Sequence, residues 1–148
     1  MRVLRQFRMI FNAVRTHFSQ IERDAGIGGA QLWALSEIAA SDAMGVTDLS
    51  KALDIHQSTA SNLVRALVER QLVTVVRRTD DRRATQLEIT GQGREVLGGA
   101  PAPFKGVLPA TLEQLDPALL ERLEQDLAIL LAALGGDDTS AKTPLAEL

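Results

Sequence analysis

Between residues 46 and 94 the spacing of apolar residues changes once, and that change limits what the chain can fold into. Up to residue 70 the apolar positions recur at helical intervals. Thr47 and Asp48 open a short helix over 48–53 that buries Leu49 and Leu53, with Thr47 as the expected N-cap. A tight connection, Asp54-Ile55-His56, leads into a helix over 57–70 with the stripe Ala60, Leu63, Val64 and Leu67. Then β-branched residues take over. Leu72-Val73-Thr74-Val75-Val76 and Thr85-Gln86-Leu87-Glu88-Ile89-Thr90 read as strands, joined through the polar run Arg77-Arg78-Thr79-Asp80-Asp81-Arg82-Arg83. Two strands around a charged loop make a β-hairpin.

The flanking segments are helical. Leu4, Phe7, Phe11, Val14, Phe18 and Ile21 fall at intervals of three and four, a narrow stripe suited to packing along another helix, and Gly26, Gly28 and Gly29 interrupt it. A helix over about 30–40 offers Trp33, Leu35, Ile38 and Ala39 to the core. Thr90 caps a helix over about 91–98, after which Gly98, Gly99, Pro101, Pro103 and Pro109 forbid one straight helix and predict a break near 99–103 and a kink at 109. A last helix starts around Asp116-Pro117 and ends at Gly135-Gly136. Residues 137–148 are expected to be a mobile polar tail.

Composition narrows the function. The chain has 148 residues, enough for one domain with a core, and its 45% apolar and 24% charged residues are those of a folded protein. No apolar run approaches the roughly 20 residues of a membrane span. Arginines at 2, 5, 8 and 15 break up any signal-peptide pattern, so a cytoplasmic protein is expected. There is no cysteine, which excludes disulfides, thiol switches and Cys-ligated zinc, and two histidines supply few metal ligands. No cofactor and no metal are expected. Nor is an enzyme: Ser, His and Asp occur, but without a nucleophile elbow, a phosphate loop or a framed pair of carboxylates.

The net charge of −3 conceals an asymmetry: residues 1–24 sum to +3, 25–45 to −2, 46–94 to +2 and 98–148 to −5, with Glu95 adding −1. Arg65, Arg70, Arg77, Arg78, Arg82 and Arg83 crowd into 65–83, and arginine's planar fork suits phosphates and base edges. A cluster of this kind is equally well an ordinary solvated face. The order of elements adds to it. A short helix, a tight turn, a longer helix and a basic hairpin form a winged helix-turn-helix. Opposite its apolar stripe, the second helix carries Ser58, Asn62, Arg65 and Glu69, with Ser61 alongside and Gln57 at the tip. Hydroxyls, amides and a guanidinium bond to base edges in a major groove, and the N-terminal part of such a helix points there.

The run from Leu53 to Val64 resembles the recognition region of the multiple-antibiotic-resistance regulator (MarR) family. So does Arg77-Arg78-Thr79-Asp80-Asp81-Arg82-Arg83 followed by Leu87-Glu88-Ile89-Thr90 and Gly93. The family's wing motif, Asp-x-Arg shortly before a strand ending in Leu/Ile-Thr, is matched by Asp81 and Arg83 with Arg82 between them. The resemblance implies that Arg83 enters the minor groove and that Asp81 buttresses it. Candidate DNA contacts are therefore Gln57, Ser58, Ser61, Asn62 and Arg65 on the helix and Arg77, Arg78, Asp81, Arg82 and Arg83 on the wing. Two features depart from the family pattern: His56 stands where Ser or Asp would cap better, and the Pro and Gly residues at 98–109 interrupt a helix that is often long.

The family dimerises through helices from both chain ends. The stripe Leu112, Leu115, Leu119, Leu123, Leu127, Leu130 and Leu134 is independently too long for a domain of this size to bury alone. The expected fold is mainly α with a small β-hairpin wing: a single domain over 1–136, with a winged helix-turn-helix lobe (30–97) on a dimerisation stem built from 1–24 and 104–135. The expected function is sequence-specific double-stranded DNA binding by a homodimer at a palindromic site. Resemblance further implies a ligand-responsive repressor with a pocket between stem and lobe for a small aromatic or phenolic effector. Phe11, His17, Trp33 and Phe104 are its candidate walls, although aromatics at helical spacing are commonly core. The alternative class is a winged-helix module that binds protein and no DNA.

Overall fold

The computed structural model describes residues 1–77, 85–135 and 141–147. In chain order the elements are α1 (Arg2–Ala25), α2 (Gly29–Ala40), α3 (Val46–Ala52), α4 (Gln57–Glu69), β1 (Val73–Arg77), β2 (Thr85–Ile89), α5 (Gly91–Gly99), α6 (Val107–Leu112) and α7 (Pro117–Leu134), then a short 3-10 turn, Leu145–Glu147. The fold is mainly helical with one two-stranded antiparallel hairpin, in which Val73 pairs with Ile89 and Arg77 with Thr85.

One apolar core joins α2, α3, α4 and the hairpin. Leu32, Ala34, Leu35, Leu49, Ala60 and Leu67 are completely buried, and Ile38, Leu63, Val64, Val73 and Leu87 nearly so. From α1 Ile21 is buried in it, and Phe18 and Ala25 pack half-buried against it. On α2 the buried face is Ala30, Leu32, Ala34, Leu35 and Ile38, whereas Trp33 and Ala39, read from the sequence as core, are only partly buried. Because α2 is covered on several sides by α1, α4, α5 and β2, its buried residues do not form a narrow stripe.

Polar links fix the hairpin to this core. Leu87 N–H donates to Met44 O (2.8 Å), so the turn after α2 acts as a further strand-like neighbour of β2. The Gln86 amide donates to Asp42 O at 2.6 Å. Thr90 caps α5 as expected, accepting from Gly93 N–H at 3.0 Å, and its hydroxyl donates to Gln71 O. Gly93 is fixed by contact: a Cβ there would lie 2.3 Å from Leu72 O, inside the van der Waals limit of a backbone atom that has no free space to move.

Several boundaries differ from the sequence reading. Helix α3 begins two residues earlier than predicted: Gly45, not Thr47, is the N-cap, and the Asp48 carboxylate accepts from Gly45 N–H at 3.0 Å, which leaves Thr47 inside the helix. Pro109 does not kink a longer helix. It lies in the first turn of the separate helix α6, where its missing N–H is no loss. Helix α7 opens on Asp116, whose carboxylate accepts from Ala118 N–H, and closes at Gly135 in a left-handed conformation (φ 68°). Beyond it, the expectation of a free tail meets a different arrangement at 141–147: Pro144 is buried and Ala146 packs against the core.

Candidate nucleic-acid interface

Helices α3 and α4 are joined by a turn that the backbone closes on itself. Leu53 N–H bonds Leu49 O, Asp54 N–H bonds Lys51 O and Ile55 N–H bonds Ser50 O, all within 3.0–3.2 Å. Asp54 adopts a left-handed conformation (φ 50°), which aspartate tolerates better than most residues. With Leu49, Leu53 and Ile55 buried beneath it, this turn sets the angle at which α4 leaves the lobe.

Helix α4 buries the four residues of its predicted stripe, Ala60, Leu63, Val64 and Leu67. Gln57, Ser58, Ser61, Asn62, Arg65 and Glu69 are all exposed. Two local bonds organise this face. The Arg65 guanidinium donates to Asn62 Oδ1 at 2.6 Å, so the Asn62 amide N–H groups are left for other acceptors. At the tip, Gln57 Nε2 donates to Thr47 Oγ1 at 3.2 Å, tying the start of α4 to α3. His56 is the N-cap and makes no side-chain cap, in line with its departure from better capping residues.

Of the wing candidates, Arg77 ends β1 and is exposed. Arg78, Asp81, Arg82 and Arg83 lie outside the described residues. Arg70, part of the same basic run in sequence, serves the lobe instead: its guanidinium donates to Gly26 O at 2.8 Å, holding the end of α4 against the turn that ends α1. Thr47 and Arg70 are positioning residues that sequence spacing does not reveal, because their partners lie 10 and 44 residues away.

The four candidate pocket residues are not brought into one cavity. Phe11 is 66% exposed and lines an open groove of about 450 Å³ along α1, with Ile10, Val14, Phe18 and Leu108. Trp33 lines a separate cavity of about 40 Å³ with Phe18, Ala30, Lys105 and Pro109. The His17 ring is hydrogen-bonded to Pro103 O (3.0 Å), and Phe104 packs against the core; neither lines these two spaces. Phe18, which borders both, was legible in sequence only as one more member of the α1 stripe.

Comparison with known proteins agrees with this geometry. Residues 25–84 match the family model described as the MarR family. The chain is 40% identical over 55 residues to the HTH-type transcriptional regulator Hpr of Halalkalibacterium halodurans, a match spanning 37% of this chain and 29% of that relative's length. Among solved structures, the S. aureus MepR–DNA complex superposes with a TM-score of 0.61 at 23% identity, covering 87% of this chain and 94% of that one. The YusO protein of Bacillus subtilis does so with a TM-score of 0.58 at 19% identity, covering 89% and 94%. At those identities the structures speak for the fold alone, whereas the family match covers α2, α3, α4 and β1 and ends before β2. On that match and that shared fold, residues 25–84 are similar to the MarR family, and the chain has the winged helix-turn-helix fold of these solved structures.

Proposed function

We propose that the protein is a homodimer that binds double-stranded DNA sequence-specifically at a palindromic operator and works in the cytoplasm as a ligand-responsive repressor. The observation that carries this reading is the exposed face of α4. Its buried stripe leaves Gln57, Ser58, Ser61, Asn62 and Arg65 outward on a helix whose orientation is set by the α3–α4 turn. Arg65 supplies paired donors suited to guanine, while Asn62 and Gln57 supply amides suited to adenine. Arg77, with Arg78, Arg82 and Arg83 following it in sequence, supplies positive charge for phosphates and for a narrow minor groove, where Asp81 would steady Arg83.

Dimerisation is supported by what the monomer leaves uncovered. None of the 18 residues of α7 is buried, and Leu119, Leu127, Ile129, Leu130, Leu131 and Leu134 are exposed. At the other end Leu4, Met9, Ile10 and Phe11 are exposed too. Monomers rarely leave apolar patches larger than a few hundred Å² open, and a two-fold partner covers both helices at once. The groove bordered by Phe11 and Phe18 supports the ligand-responsive part of the reading, with a small aromatic or phenolic molecule as the class that an apolar, aromatic wall accepts.

The test is selection of bound genomic fragments by the purified protein, followed by salt titration on the best fragment. A two-fold symmetric site, with affinity falling steeply as salt rises, is expected. Absence of enrichment at low salt would refute DNA reading and leave a protein-binding module.

A further inference from the structure

The described part of the tail, 141–147, packs into the cleft bounded by α1, the start of α2 and residues 105–109. Pro144 is buried, and Leu145 and Ala146 border both the 40 Å³ cavity beside Trp33 and the larger groove along α1. Gly29 makes room for this packing. A Cβ on it would stand 2.3 Å from the Phe18 ring and 3.2 Å from the Ala146 Cβ. The ring of Trp33, one turn along α2 from Gly29, is held in place by its N–H bond to Glu37 (3.0 Å).

With Pro144 to Ala146 in place, about 40 Å³ remains beside Trp33, little more than the share of one water. Benzene occupies a cavity of roughly 150 Å³ in a protein interior, so an aromatic molecule needs one wall to leave. The walls differ in how firmly they are held. Phe18, Ala30 and Trp33 belong to long helices, and Lys105 is ion-paired with Glu113. Among the described residues, 141–147 makes one hydrogen bond, internal to its own turn (Glu147 N–H to Pro144 O), and is otherwise held by apolar contact.

We propose that residues 144–147 are a resident occupant of this cleft and that a small aromatic ligand binds beside Trp33 by displacing them. This rests on the reading that the protein is ligand-responsive; it extends the ligand's place from the groove along α1 to the adjoining space beside Trp33, with Phe18, Leu145 and Ala146 bordering both, and adds a built-in competitor that lowers the protein's sensitivity. A ligand that binds only the fraction of molecules with the segment released has its affinity reduced by that fraction.

Trp33 is the single tryptophan, so its fluorescence reports the cleft directly. Three chains are compared: the full chain, a chain ending at residue 140, and full-length Ala146→Glu, each checked for helicity by circular dichroism. Acrylamide quenching of Trp33 and binding of 1-naphthol by equilibrium dialysis are measured without DNA. Both altered chains are expected to show stronger quenching and roughly three- to tenfold tighter naphthol binding. A peptide of residues 141–148, added to the shortened chain, is expected to reverse both changes. Unchanged quenching would overturn the proposal. Equal naphthol binding by all three chains would overturn the competition and leave the ligand reading standing. No naphthol binding by any of them would overturn both together.

Discussion

The lobe and the stem use apolar residues in opposite ways. In the lobe, α2, α3, α4 and the hairpin bury Leu32, Leu35, Leu49, Leu67, Val73 and Leu87 against one another, and local hydrogen bonds close each turn between them. In the stem, α1 contributes one buried residue and α7 none, although both are rich in large apolar side chains. The lobe's core is complete within one chain. Among the described residues most of the stem's apolar surface is left uncovered, and it is this surface that the proposed dimer would bury.

The sharpest way to break that contrast is to place charge on the stem. Leu127→Glu with Leu130→Glu is expected to weaken dimerisation by more than about 4 kcal/mol, because an uncompensated carboxylate at a desolvated interface costs several kcal/mol. Sedimentation should then show monomers while the lobe keeps its helical circular dichroism. A smaller effect of the other kind is expected in the lobe. Leu35→Ala, at a completely buried site, should cost about 2–5 kcal/mol of stability through lost transfer energy and a cavity. Chemical denaturation measures it, and the dimer affinity of the folded protein should stay near wild type. The least effect is expected at the seam between the two regions: Arg70→Ala removes the bond to Gly26 O and should cost about 0.5–1.5 kcal/mol. A loss above 3 kcal/mol there would show that the lobe depends on α1 far more than its packing implies.

Much of the lobe was legible because its signals are local. The four buried residues of α4 follow from spacing alone, and Thr90 both looks like and is the cap of α5. What failed did so for reasons of tertiary competition. Thr47 has the right chemistry for a cap, but the Asp48 carboxylate reaches Gly45 N–H first, and the Thr47 hydroxyl is taken by Gln57. Leu32 and Ala34 were not singled out on α2 because a helix covered on several sides shows no clean stripe. The packing of Pro144 and Ala146 was not legible either, since a short Pro-Leu-Ala run in a polar tail has no period to read. Within the candidate interface, residue types and helix face followed from the sequence. The Asn62–Arg65 pairing and the Thr47 and Arg70 links depend on side-chain reach across turns and elements.

The central claim is that the exposed face of α4 reads bases, and Arg65→Ala tests it most directly. On the selected operator, wild-type and R65A proteins are titrated against a panel with each base pair replaced in turn. If the account holds, R65A loses about 1–3 kcal/mol of discrimination at one base pair per half-site, related by the two-fold axis, and keeps wild-type preferences elsewhere. If R65A binds every member of the panel as wild type does, α4 is not the reading element and the assignment of its face is wrong.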